Sequence, residues 1–291
     1  MELWLGSTTL GLCYGFLAMG VFITMRVYNF PDITADGSLT LGASVSAALM
    51  VAGVSPYMSL LVAILSGFFA GTVTGFIHTK FRINGLLSGI LVTTALYSIN
   101  LRIMGRSNIP LLNVPETVLT FIEQIAPFPK PFPALIYFFL FAFTVAGLLM
   151  LLFHTDFGLA MRATGDNEIM ISANGVNTDV MKVVGIGLSN AIIALCGALV
   201  CQYQGFSDIN MGTGTIVYGL ASVIIGEAIV GLIKKKSIGS LLMSVIVGAV
   251  IFRLLVGLAL ISGMNQTDLK LVTALFVLLA VALPQLRLLR R

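Results

Sequence analysis

Residues 30–45 read FPDITADGSLTLGASV, and residues 206–223 read FSDINMGTGTIVYGLASV. Both copies open on Phe-x-Asp-Ile, pass through a Gly/Ser/Thr-rich break and close on Ala-Ser-Val, the second with two extra residues. Each follows a long apolar run. A helix broken inside such surroundings leaves amides and carbonyls unpaired, which is tolerable only where protein buries them or where they line a cavity. Five apolar segments separate the two copies, so the copies face opposite directions across a bilayer. Inverted repeats with helices broken at corresponding positions point to a transporter whose path lies at the repeat interface. A chance match of small-residue membrane sequence is the competing reading.

Composition places the whole chain in a membrane. Hydrophobic residues make up 58% of the 291 residues and charged ones 10%, against roughly 45–50% and 25% in soluble domains. A water-facing exterior is excluded. Apolar runs near the ~20 residues needed to cross a bilayer recur throughout. Nine are read, at about 8–25, 38–54, 58–77, 84–104, 132–153, 183–203, 215–233, 238–262 and 269–286. The second belongs to a broken or re-entrant element, giving eight to ten spans. The expected fold is therefore all-α, a single transmembrane domain over residues 1–291 with inverted repeats at about 8–153 and 183–287. The start, MELWLG, lacks the basic region of a secretory signal, so the first run is read as a retained span. Cys13, Cys196 and Cys201 fall inside apolar runs and read as core residues rather than a disulfide or zinc framework.

The net charge of +4 is explained by where the cations sit. With the N-terminus outside, Arg26, Lys80, Arg82, Arg162, Lys182, Lys234, Lys235, Lys236, Arg287, Arg290 and Arg291 gather on the inner face. Arg102, Arg106, Lys130 and Lys270 fall on the outer one. Eleven against four satisfies the positive-inside rule, and the reverse topology violates it in nearly every loop. The N-terminus is expected outside and the C-terminus in the cytosol, with anionic lipid rather than nucleic acid as the electrostatic partner.

Two polar loops stand on opposite sides. The outer one, Gly105–Pro131, has five prolines and the amphipathic stretch ETVLTFIEQI, either a short helix over the entrance or an ordinary connector. The inner one, residues 154–182, reads HTDFGLAMRATGDNEIMISANGVNTDVMK. Thr164 and Asp166 are N-cap types ahead of NEIMISAN, and Gly175 stands where a C-cap glycine ends a helix. A short helix bracketed by glycines would present a compact surface outside the membrane.

No catalytic pattern is visible. The chain lacks a Walker A loop, HExxH, GxSxG and paired cysteines, and its two histidines, His78 and His154, lie at span ends. No enzyme activity, metal or cofactor is expected. Ionisable residues within spans are functional candidates by default: Asp32 and Asp36 in the first break, Asp208 in the second, Glu227 in the seventh segment and Arg253 in the eighth. For the aspartates, helix capping and lining a path are both open. Glu227 and Arg253 stand at different depths and need not touch. Gly67, Gly71 and Gly75 offer a close helix approach, within the chain or at a dimer seam.

Three stretches carry a family resemblance. They are VYNFPDITADGSLTLGASVSA, DFGLAMRATGDNEIMISANGVNTDVMKVVGIGLSNAIIALCGAL, and GLASVIIGEAIVGLIKKKSIGSLLMSVIVGAVI. In order and spacing they resemble the permeases of ABC importers for branched-chain amino acids, ribose and related sugars. The resemblance implies an importer permease of a prokaryotic plasma membrane, working with a separate ATPase dimer inside and a substrate-binding protein outside. It implies that residues 154–182 form the coupling loop, with Gly158, Arg162, Gly165, Asp166, Asn167, Glu168 and Gly175 forming or framing the helix that docks on the ATPase. Where many relatives have a second glycine, this chain has Glu227. The LASVIIGE stretch looks closer to a single-permease subgroup linked to aromatic amino acids, which implies a homodimer. The inverted repeat and intramembrane acids alone would equally permit a transporter driven by an ion gradient.

Overall fold

In a bilayer each backbone amide must find a partner within the protein, and a helix does this within one segment. The computed structural model describes residues 2–112, 114, 117–120, 132–233, 237–261, 263, 268 and 271–278, and these are nearly all helical. Helix α1 spans Glu2–Phe22 and runs into a π-helical turn, Ile23–Val27. After the break at residues 28–33 come α2, Thr34–Val51, α3, Pro56–Phe81, and α4, Gly85–Met104. Strand β1, Asn108–Pro110, precedes α5, Phe132–His154. Two short helices, α6 (Asp156–Asp166) and α7 (Glu168–Ala173), lead to α8, Thr178–Gln204. Strand β2, Phe206–Asp208, the second break, α9 (Thr215–Ile233) and α10 (Ile238–Ile261) follow, with further helix over 271–278.

Among the described residues six helices are long and apolar enough to span a membrane: Trp4–Val27, α3, α4, α5, α8 and α10. Apolar segments 38–54 and 215–233 coincide with α2 and α9, which follow the breaks; the ninth segment is described only over 271–278. The expectation of an all-α chain needs one correction. Asn108, Ile109 and Pro110 pair antiparallel with Asp208, Ser207 and Phe206, so a small two-stranded ribbon ties the α4–α5 loop to the second break. Loops with proline and few apolar positions carry little strand signal, which is why the sequence did not reveal it. Most of ETVLTFIEQI lies outside the described residues, as do Lys130, Lys234–Lys236, Lys270, Arg287, Arg290 and Arg291. Val118, at the start of that stretch, is buried and its amide donates to Gln202 Oε1 at 3.2 Å.

Helices α1 and α8 form the centre and pack against each other. Their apolar windows are 78% and 83% buried, against 28% for α4 and 22% for α5, so the latter two face the lipid. The partners of the central pair are crossed. Helix α8 packs chiefly against α2 and α3, whereas α1 packs chiefly against α10 and α9. Small residues permit this closeness. A Cβ at Gly42 of α2 would collide with the Ala194 carbonyl of α8, and one at Gly197 of α8 with the Leu39 carbonyl of α2. Gly67, Gly71 and Gly75 of α3 meet Ala194, Ile186 and Val183 of α8, so that glycine row serves an intramolecular contact. Cys196 Sγ lies 3.2 Å from the Cys13 carbonyl oxygen, in the buried α1–α8 seam.

Gly197→Ala is expected to destabilise the protein by about 1–3 kcal/mol, because the added methyl meets backbone that cannot yield. Gly147→Ala and Gly231→Ala, where a Cβ meets nothing within 4 Å, should be neutral or slightly stabilising. Thermal unfolding in detergent checks the contrast, and equal effects at all three positions would contradict the packing described.

Candidate functional site

The two Phe-x-Asp-Ile segments fold in the same local way. Asp32 Oδ1 accepts from the Thr34 amide at 2.9 Å, and Asp208 Oδ1 from the Asn210 amide at 2.9 Å. Each is an aspartate bonding its own backbone two residues on, the turn such short acids favour. In each, the other carboxylate oxygen accepts from an asparagine amide: Asn190 Nδ2 to Asp32 Oδ2 at 2.7 Å, and Asn108 Nδ2 to Asp208 Oδ2 at 3.4 Å. Asp32 is buried, and Asn190 stands near the midpoint of α8. The Thr34 and Thr74 hydroxyls, 2.8 Å apart, extend this buried polar cluster to α3.

Asp36 does something different. It lies in the first turn of α2, yet its carboxylate reaches the start of α9, a sequence separation of about 180 residues. Oδ2 accepts from the Gly214 amide at 2.8 Å, while Oδ1 accepts from the Ile216 amide at 2.8 Å and the Thr215 hydroxyl at 3.1 Å. One carboxylate thus stands at the starts of two helices, where both sets of unpaired amides favour negative charge. The Gly212 amide donates to Thr40 Oγ1 at 3.0 Å, and a Cβ on Gly212 would collide with the Asp36 carbonyl, so the second break lies directly on α2. The meeting point is deep. Gly37 packs on Thr93 and Leu96, about 12–17 Å along an α4 of about 30 Å by the helical rise. Asp36 is half-buried, and Thr213 and Gly214 are exposed. Exposed polar backbone at that depth requires a water-filled cavity or a protein partner.

Glu227 and Arg253 do not pair. Glu227 forms a bidentate ion pair with Arg26 of the π turn, through both carboxylate oxygens. Arg253 lies over the Tyr14 ring, 5.8 Å from its centroid. The sequence places Arg26 only among the inner-face cations, and nothing local in it joins Arg26 to a residue 201 positions away. Asn190 was also missed, although an amide within SNAIIALCGAL was a usable signal. Among the described residues no group of three or more His, Cys, Asp or Glu side chains is placed to hold a metal.

The loop between α5 and α8 differs from the expected single helix. Asp156–Asp166 is already helical, so Thr164 and Asp166 lie within α6 and cap nothing. Thr155 caps α6 through the Gly158 amide at 3.2 Å, and Asn167 caps α7 through the Met170 amide at 3.0 Å. Gly175 follows α7 at φ +86°, as expected of a terminating glycine. Gly158 and Gly165 are close-approach positions: a Cβ at the first would strike the Leu152 carbonyl, and one at the second the Val27 carbonyl. The C-terminal end of α6 therefore rests on the chain entering the first break. Arg162 is half-buried, while Asp166, Asn167 and Glu168 are exposed. Lys182 Nζ donates to Glu168 Oε2 at 2.6 Å, and this bond holds the Glu168 carboxyl below its ordinary range despite some opposing desolvation.

Comparisons with known proteins agree with this architecture. Residues 3–282 match the family described as "Branched-chain amino acid transport system / permease component". The chain is 43% identical over 274 residues to the "Tyrosine transport system permease protein" of Clostridioides difficile (strain R20291), covering 94% of this chain and 88% of that one. It is 24% identical over 265 residues to the "Ribose import permease protein RbsC" of Escherichia coli (strain K12), covering 91% and 80%. Among solved structures, "PsaBC from Streptococcus pneumoniae in complex with Fab" superposes with a TM-score of 0.54 at 13% identity, over 96% of this chain and 89% of that chain, a likeness of fold. The gradient-driven alternative loses its footing, because the match extends over nearly the whole sequence. The chain belongs to the branched-chain amino acid transport system permease family, the membrane-spanning components of ABC importers.

Proposed function

We propose that this chain forms the translocation path for an aromatic amino acid within an importer driven by a separate ATPase dimer and fed by a substrate-binding protein. Tyrosine is the solute named for the relative with 43% identity, and it motivates the substrate class. The reading places two copies in the complex, the α6–α7 end in the cytosol and the N-terminus outside, in keeping with the distribution of basic residues. The observation that carries it is the meeting of two broken helices at Asp36, with half-exposed polar groups at mid-depth. Asp36 and Glu227 are assigned to the path. Asp32 and Asp208 act as turn and cap residues, and Arg253 as a packing residue over Tyr14.

An inverted repeat, about residues 8–153 against 183–287, accounts for several features together. Matching α1 with α8, α2 with α9 and α3 with α10 turns the crossed packing into one rule: the first helix of each half packs on the second and third of the other. The paired aspartate turns at Asp32 and Asp208 follow the same match. With α2 and α9 as partial crossings and a last helix through 271–278, about nine crossings result.

The α6–α7 pair suits the coupling role. Ile169 is 85% exposed and Met170 58%, apolar side chains on a six-residue helix that has no buried residue of its own. Such a surface calls for a protein partner. Gly165 bears on Val27, and the Tyr28 hydroxyl donates to the Met181 carbonyl at 2.6 Å, so movement of α6 acts on the break that leads to Asp36. A short rigid element displaced by ATP-driven closure is one of the standard switching devices.

Two outcomes test this. Uptake of labelled tyrosine into proteoliposomes holding permease, ATPase and binding protein should fall at least about tenfold in Asp36→Asn, which removes the charge but keeps an acceptor oxygen for the α9 amides. Glu227→Ala should change uptake in the same assay with normal amounts of folded protein. Unaltered kinetics in both would remove the path assignment. Charge reversal at Arg162 or Glu168 should loosen ATPase association and abolish uptake while membrane insertion stays normal. For Glu168, whose folded pKa is depressed by Lys182, the tether is complete at neutral pH and is lost as pH falls below the usual glutamate range. ATPase binding that survives Glu168→Lys unchanged would count against the coupling role.

A further inference from the structure

Away from Asp36, the α6–α7 end of the bundle holds a concavity. A cavity of 480 Å³ lies between the end of α3 and the start of α8, lined by Phe76, Lys80, Arg82, Asp179, Val180 and Val183. Its chemistry is divided. Phe76, Val180 and the adjacent Phe81 are 53%, 49% and 65% exposed. They continue the exposed apolar row Leu61, Leu65, Phe69 and Val73 along α3, a stripe suited to acyl chains. Lys80 and Arg82 stand where that stripe ends, and among the described residues neither has a hydrogen-bond or ion-pair partner.

The turn that carries Arg82 is fixed rather than loose. Arg82 ends α3 in the left-handed region at φ +54°, a conformation that side-chain-bearing residues seldom adopt. His78 Nδ1 and the Ile83 carbonyl oxygen, 2.7 Å apart, brace it, and the His78 ring packs edge-on against Phe30. A lone basic side chain at a helix end ordinarily reaches to water. Here two cations with no hydrogen-bond or ion-pair partner among the described residues border one concave site between two helices, beside exposed apolar surface. Asp179 is the one acid in the lining and lowers the net positive charge to one.

We propose that this cavity binds the phosphodiester headgroup of an anionic phospholipid, with Lys80 and Arg82 as its cationic contacts and the chains lying along α3. Basic pockets between membrane helices beside the cytosolic surface take such headgroups. The site lies apart from the proposed path and does not depend on the solute carried.

The test is native mass spectrometry of the full chain in detergent, titrated with dioleoyl phosphatidylglycerol or dioleoyl phosphatidylcholine, with inorganic phosphate as competitor. One phosphatidylglycerol is expected to bind in preference to phosphatidylcholine. Lys80→Gln with Arg82→Gln should weaken that binding about 30-fold, while Arg102→Gln with Arg106→Gln, on the α4–β1 side, leaves it unchanged. Lys80→Arg with Arg82→Lys should keep it, and Asp179→Asn should tighten it, which guards against a variant that merely misfolds. Equal binding of the two lipids, or full phosphatidylglycerol binding by the double glutamine variant, would overturn the proposal. So would displacement of the lipid by millimolar phosphate, which would mark a free-anion site. Loss of ATPase association with lipid binding intact would mark a protein contact and overturn it equally.

Discussion

The fold depends on how two helix starts are satisfied far from either end of the bundle. A helix that begins within a membrane exposes amides, and each one left with neither a protein partner nor water costs several kcal/mol in hydrocarbon. Asp32 solves part of the problem locally by accepting from the Thr34 amide at the start of α2, and Asp208 makes the matching turn ahead of the second break. Asp36 solves the rest across the molecule by accepting from Gly214, Thr215 and Ile216. That bond set fixes α2 against α9. The chain then requires glycines where the breaks and the central helices cross, at Gly212, Gly42 and Gly197.

Satisfying both helix starts through one carboxylate also makes the site sensitive to movement. A cap that bridges two halves is intact only while the halves keep their spacing. The α6 helix bears on Val27 through Gly165, the Tyr28 ring lies against Gly185, and the Arg26–Glu227 pair joins the π turn to α9. Under the proposed coupling role, these contacts are the route by which displacement of α7 would reach Asp36 through residues 26–36. The π turn fits this role, since such irregular turns re-aim side chains and recur at functional sites.

Much of this was legible in the sequence. The apolar runs marked α1 to α5 and α8 to α10, and Gly/Ser/Thr-rich breaks within them marked where helices restart. Residue types suited to capping were visible at Asp32, Asp36 and Asp208, but which amides Asp36 caps was not, because capping rules are local and its partners lie in the other half. The Arg26–Glu227 pair was hidden for the same reason. The α6 helix was hidden differently: Thr164, Gly165 and Asp166 read as a helix start, yet they complete a helix already begun at Asp156, where tertiary contact of Gly158 and Gly165 outweighs their weak propensity. The β1–β2 ribbon has three-residue strands, too short for any alternating pattern to register.

Solvent access at the meeting of the two breaks tests the central claim most directly. With Cys13, Cys196 and Cys201 replaced and a single cysteine introduced at Thr213, a membrane-impermeant maleimide would be applied from either side of the full transporter, with ATP hydrolysis either proceeding or trapped. A path that opens alternately past Asp36 predicts labelling from one side in one state and from the other side in the second. Labelling from neither side in both states would contradict it.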